Sequence, residues 1–154
     1  MIFEKTALFC ERLFRILKTM LKALLMSSLT KPERLRLFFE ESGGVFLKLG
    51  QILALRRDLL SVEYTMELLK LLNNIPIEPF HKMNKVFMEE IGEPVDNFFS
   101  SFDYDPIGSA SIAQVYKAVL KNGDNVAVKI QRPGIKEVFE TDFLIISFLA
   151  SVVH

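Results

Sequence analysis

Only one cysteine, Cys10, occurs in the 154 residues, so no disulfide can close within the chain, and a reducing compartment is compatible with that usage. The two histidines, His81 and His154, have no cysteine or second histidine at ligand spacing, which argues against a zinc site. No apolar run approaches the roughly 20 residues that span a bilayer. Glu11, Arg12, Arg15, Lys18 and Lys22 interrupt the first hydrophobic segment, and the early charges also argue against a secretory leader. Internal repeats and low-complexity tracts are missing too.

What is present is a half-hydrophobic, phenylalanine-rich composition that suits one compact core with appended helices. The net charge of zero hides an asymmetry. Residues 1–36 carry eight Lys/Arg against three Asp/Glu, and the remainder carries 11 against 16. At about 100° per residue, Glu4, Lys5, Glu11, Arg12, Arg15, Lys18 and Lys22 fall within an arc of roughly 140°, with Phe3, Leu13, Phe14, Leu17, Leu21 and Leu24 elsewhere. Residues 2–27 therefore read as an amphipathic helix. Its apolar face either packs on the rest of the protein or rests on an anionic membrane surface.

Thr30-Lys31-Pro32-Glu33 is a capping box with proline in the first turn, which predicts a helix running to the break at Gly43-Gly44. Further helices are expected to Arg57, from Val62 to Leu72 behind Ser61, and from about Phe80 to Ile91 before Gly92. From Phe102 the period changes. Residues 114–120 and 125–131 are β-branched, alternating runs joined through Asn122-Gly123, a strong hairpin signal. After the turn Arg132-Pro133-Gly134, helical spacing returns for Ile135 to Val153. The fold expected is α+β, organised as a basic helix (1–29), a helical extension (30–101) and a sheet-plus-helix segment (102–154).

Three features can carry chemistry. Lys129 ends the run Val126-Ala127-Val128-Lys129 and, by strand alternation, shares its face with Ala127 and not with Val128 or Ile130. Upstream, Gly108, Ser109, Ala110, Ser111 and Ala113 are all small, as a phosphate-covering turn requires for close approach of backbone N–H groups. Strand, small-residue loop, strand, hairpin and lysine-bearing strand form the order of a protein-kinase small lobe. Taken singly, the lysine also fits a solvated strand position and the loop an ordinary tight connection. Lys48 and Gln51 lie one helical turn apart around Gly50, whose missing side chain lets that helix approach another backbone. A solvated lysine beside a packing glycine is the plainer reading there.

The segments Phe46-Leu47-Lys48-Leu49-Gly50-Gln51-Ile52-Leu53, Arg56-Arg57-Asp58-Leu59-Leu60, Pro106-Ile107-Gly108-Ser109-Ala110-Ser111-Ile112-Ala113-Gln114-Val115 and Val126-Ala127-Val128-Lys129-Ile130-Gln131-Arg132-Pro133-Gly134-Ile135 closely resemble, in order, the UbiB/AarF family of atypical kinases. The resemblance covers residues from about 31 onward. It implies a protein-kinase-like fold that binds ATP and supports ubiquinone or related prenyl-lipid metabolism at membranes. Carried over by position, Lys48 and Gln51 are the catalytic-site motif that obstructs protein substrates, with Lys48 near the nucleotide pocket. Gly108 to Ala113 form the alanine-rich loop, and Lys129 is the phosphate-contacting lysine. Gly108 and Ser109 stand where many members have alanines, and Ala113 where glycine is frequent.

No large-lobe catalytic loop or metal-binding Asp-Phe-Gly follows, so the acidic partner of Lys129 and the magnesium ligands are expected beyond His154. The expectation is the N-terminal part of such a kinase or ATPase, inactive alone, with ATP as cofactor and magnesium only where a large lobe supplies its ligands; no metal ligand is expected in this chain. Expected partners are a nucleotide and an anionic membrane surface or prenyl lipid, with no nucleic acid. The expected location is cytoplasmic or peripheral at the inner membrane. The rival readings are a non-catalytic membrane- or partner-binding module and a functionless reading frame.

Overall fold

The computed structural model describes residues 2–72 and 75–153, with side chains from residue 6 to 151. The side chains of Phe3, Glu4 and Lys5, and His154, lie outside the described residues. The chain is α+β, with elements in the order α1 (Ile2–Leu25), α2 (Lys31–Ser42), α3 (Gly44–Leu53), α4 (Val62–Leu69), a 3-10 turn (Lys70–Leu72), α5 (Phe80–Ile91), α6 (Val95–Phe98), β1 (Phe99–Phe102), β2 (Gly108–Ser109), β3 (Ala113–Leu120), β4 (Asn125–Gln131) and α7 (Ile135–Val153). Two compact units divide it: residues 1–74 with 136–154, and residues 75–135.

In the helical unit, Ile16, Phe39, Phe46, Ala54, Leu68, Leu71 and Ile145 form the buried core. Helix α2 starts where the capping box places it, the Glu33 carboxylate accepting the Thr30 N–H at 2.8 Å and the Thr30 hydroxyl at 2.7 Å. Those hydrogen bonds hold the Glu33 carboxyl below its ordinary range. Helix α3 ends at Leu53, short of the expected Arg57, and the helix expected through Leu72 tightens to 3-10 after Leu69.

The side of α1 that packs is not the broad apolar face that the packing expectation placed against the protein. Its buried seam is Arg12, Ile16, Thr19 and Ala23, while Phe14, Leu17, Leu21, Leu24 and Leu25 are exposed on the opposite side. Arg12, expected on the solvated arc, is 6% exposed because Asp142 of α7 offers it a paired carboxylate. That pairing rotates the packed seam away from the large apolar residues.

In the second unit β3 is central. It pairs antiparallel with β1 and β2 along one edge and with β4 along the other. The hairpin register Ala113↔Gln131 through Val119↔Asn125 agrees with the sequence reading, and Gly123 at φ 95° forms its turn. Tyr116, Ala118 and Ile130 turn inward onto Met83 and Phe87 of α5, with Val95 and Phe99 closing the cluster. The sheet begins at Phe99, three residues before the change of period.

Candidate nucleotide site

Strand alternation divides the sheet into two faces. On β4, Ile130 is buried and Val126 and Val128 are half-buried, while Asn125, Ala127, Lys129 and Gln131 are exposed. Directly paired residues of antiparallel strands share a face. Gly108 pairs with Val115, and Val115 with Lys129, so these three form one row across β2, β3 and β4. At about 4.8 Å per strand, Gly108 and Lys129 are separated by about 10 Å of backbone. Lys117 stands in the next row of the same face, opposite Ala127. None of the ion pairs among the described residues uses Lys129.

Three carbonyls of the loop after β2 are taken up by hydrogen bonds within the unit. The Ala113 carbonyl accepts the Ala110 N–H at 2.8 Å, the Ile112 carbonyl accepts the Arg132 N–H at 2.9 Å, and the Ala110 carbonyl accepts Arg132 Nε at 2.9 Å. Ala113 is 1% exposed, so its small size serves packing, whereas Gly108 and Ala110 are exposed. Ser109 lies on the other face from Gly108, its hydroxyl accepting from Arg132 Nη2 at 2.9 Å. Ser111 is half-buried. An exposed cation in a row without a carboxylate, beside a small-residue loop whose Ala110, Ile112 and Ala113 carbonyls are already engaged, is an arrangement that suits phosphate oxygens.

Two residues of this unit escaped sequence reasoning. Gln114 is fully buried, accepting the Glu78 N–H and donating to Tyr116 Oη at 2.6 Å and to the Glu78 carbonyl at 3.3 Å. Burial pushes the Tyr116 phenol up, and the bond with Gln114 opposes that. Arg132, read only as part of a turn, ties the loop to residues 76–78. A glutamine at an inward-facing position of an apolar strand was the available signal for the first.

In the helical unit Lys48 is exposed and Gln51 is 7% exposed, donating through Nε2 to the Leu71 carbonyl at 3.0 Å. A Cβ on Gly50 would lie 2.7 Å from Leu71 Cδ1 and 2.8 Å from Phe39 Cγ, so the glycine makes room for two side chains and not for the other backbone that the sequence suggested. Among the described residues no three His, Cys, Asp or Glu side chains gather as a metal site, and no helix is long and apolar enough to cross a membrane.

Residues 70–154, more than half of the sequence and inclusive of the loop, both strands and Lys129, match the model of the ABC1 atypical kinase-like domain. The chain belongs to that family. Among curated relatives, an uncharacterized protein in the hydrogenase 1 5′ region of Clostridium pasteurianum is 54% identical over 121 residues, covering 79% of this chain and 23% of the relative. The probable protein kinase UbiB of Marinobacter nauticus is 41% identical over 126 residues, covering 82% and 23%. This chain thus spans about a quarter of the length of those relatives. Among solved structures, the complex of Rv3197 with erythromycin from Mycobacterium tuberculosis is 34% identical, with a TM-score of 0.47 over 73% of this chain and 29% of that one.

Proposed function

We propose that the chain is the phosphate-binding N-terminal part of a UbiB-type atypical kinase or ATPase. The observation that carries this is the row Gly108, Val115, Lys129 on the exposed sheet face, where an ammonium and a loop with engaged carbonyls flank the same surface. Lys129 would neutralise phosphate oxygens, and the Gly108–Ala113 backbone would approach them closely. ATP, when bound, would supply the transferable phosphoryl group, and on this reading the one or two carboxylates that hold magnesium against its phosphates come from a large lobe. On the same reading Lys48 and Gln51 carry the motif that limits protein substrates in the whole enzyme. The role in ubiquinone or related prenyl-lipid synthesis rests on the family resemblance.

The test is titration of the 154-residue chain with MgATP, followed by backbone NMR and phosphate release. Weak binding with shifts at residues 108–113 and 129, lost in Lys129→Ala and without hydrolysis above background, is the expected result. Absence of shifts at saturating ATP overturns the phosphate site, and Lys129-dependent hydrolysis overturns the need for further carboxylates.

A second reading concerns location. The exposed Phe14, Leu17, Leu21, Leu24 and Leu25 of α1, with exposed Arg15, Lys18 and Lys22 on the adjoining flank, support a peripheral position on an anionic inner-membrane surface. Lys22 is shared with Glu41, and Arg15 donates to the Glu41 carbonyl, so part of that charge is spent inside the unit.

A further inference from the structure

Arg132 follows β4 by one residue, and its guanidinium is 11% exposed. It uses four of its five N–H groups: Nε to the Ala110 carbonyl, Nη2 to the Ser109 hydroxyl and the Pro76 carbonyl, and Nη1 to Glu78 Oε1 at 3.5 Å. Its backbone N–H holds the Ile112 carbonyl. One residue therefore grips the loop at 109, 110 and 112 and fastens it to residues 76–78, which Gln114 clasps from the other side. With its donors turned inward, Arg132 is not a counter-ion for the exposed face. It acts on the polarity of the loop.

The peptide plane makes that polarity specific. Carbonyl and following N–H of a trans peptide point in opposite directions, so a donor that holds the Ala110 and Ile112 oxygens inward also sets the orientation of the next peptide dipoles. Without the side-chain hold the Ala110 carbonyl of so small-residued a loop can turn outward, where its lone pairs repel phosphate, while the Ile112 carbonyl keeps its bond to the Arg132 backbone N–H. Lysine cannot replace the fork, because a single ammonium cannot span the Ala110, Ser109 and Pro76 acceptors in one plane.

We infer that Arg132 is a positioning residue for nucleotide phosphate: it holds the Ser109–Ala113 loop with its carbonyls inward and thereby sets the preference for phosphorylated over unphosphorylated nucleoside. This rests on the ATP-binding reading above. The experiment compares the wild-type chain with Arg132→Ala and Arg132→Lys by amide hydrogen exchange, and titrates each with ATP and with adenosine. Both variants are expected to keep protection across Tyr116–Val119 while the 109–113 amides exchange about tenfold faster, and the ratio of ATP to adenosine affinity falls about tenfold, the scale of one charge-assisted hydrogen bond. Loss confined to overall stability would lower both affinities together and overturn the inference. So would unchanged loop exchange, or a faster loop with the ATP preference kept. Should Arg132→Ala lose hairpin protection, Arg132→Lys carries the comparison. A wild-type chain that binds neither ligand overturns the ATP reading first, and the positioning role with it.

Discussion

Arg12 and Asp142, 130 positions apart, meet in a bidentate buried pair, with Nε to Oδ1 at 2.7 Å and Nη2 to Oδ2 at 3.0 Å. Asp142 also accepts the Val45 N–H at 2.9 Å, so the start of α3, which carries Lys48 and Gln51, is bound to α1 and α7 through one carboxylate. Gly44 admits the pair: a Cβ there would stand 2.3 Å from Asp142 Oδ2, and its φ of +55° already disfavours other residues. Removing either partner strands a buried charge, so Arg12→Ala or Asp142→Ala should each cost about 3–5 kcal/mol. Arg12→Met with Asp142→Asn, which keeps an acceptor for Val45, should cost clearly less than the two single changes combined. Urea unfolding of the four chains measures the coupling, and simple additivity would mean that the pair does not act as a unit.

Gly50→Ala sets a helix-propensity gain of about 1 kcal/mol against overlap with Phe39 and Leu71. Leu71 Cδ1 can swing away, but Phe39 Cβ is fixed to its backbone. A net loss of about 1–3 kcal/mol is expected in urea unfolding. A neutral substitution would show that α2 and α3 separate at little cost.

Gly108 is the opposite case. Nothing lies within 4 Å of a Cβ built there, and its φ is not positive. Gly108→Ala should leave the unfolding midpoint within about 0.5 kcal/mol of wild type, and a larger loss would mean that the loop uses glycine's conformational freedom.

Glu67 couples α4 to Arg36 of α2 at 2.7 Å and to Lys70 at 2.6 Å. The hydrogen bond from Lys70, ahead of the opposing effect of burial and of the bond from Arg36, lowers its carboxyl below the ordinary value of 4.5. A lowered folded-state value means that the unfolded chain binds the proton more readily. The stabilisation is therefore complete above pH 4.5 and is lost as pH falls through the folded-state value. Glu67→Gln should flatten the acid limb of a stability profile below pH 5 relative to wild type, and parallel profiles would assign that limb to other groups.

Phe14 and Leu21 are 68% and 56% exposed, so replacing both with glutamate should leave the melting temperature nearly unchanged. Wild-type chain should co-sediment with anionic vesicles at low salt and less at high salt, each basic residue near the surface contributing about 1 kcal/mol. The double variant should remain in solution. Equal sedimentation of both, or none by wild type, would remove α1 as a membrane contact.

Local chemistry was legible in advance. The capping box, the Asn122-Gly123 hairpin and the alternation that exposes Lys129 each depend on residues close along the chain, and each stands as the sequence indicates. The short strand Gly108–Ser109 and the extension of the sheet back to Phe99 were not, because such brief segments carry too little periodicity to separate from loop.

Sequence alone, then, determined the types of the longer elements, the hairpin register and the small-lobe order, since these follow from backbone sterics and side-chain alternation acting locally. Tertiary structure decided which face of α1 is buried, that Gln51 turns inward to the Leu71 carbonyl, and that Arg132 braces the loop. Those outcomes depend on partners far along the chain: a buried guanidinium or amide goes wherever an acceptor compensates its desolvation, and no helical wheel contains the position of Asp142.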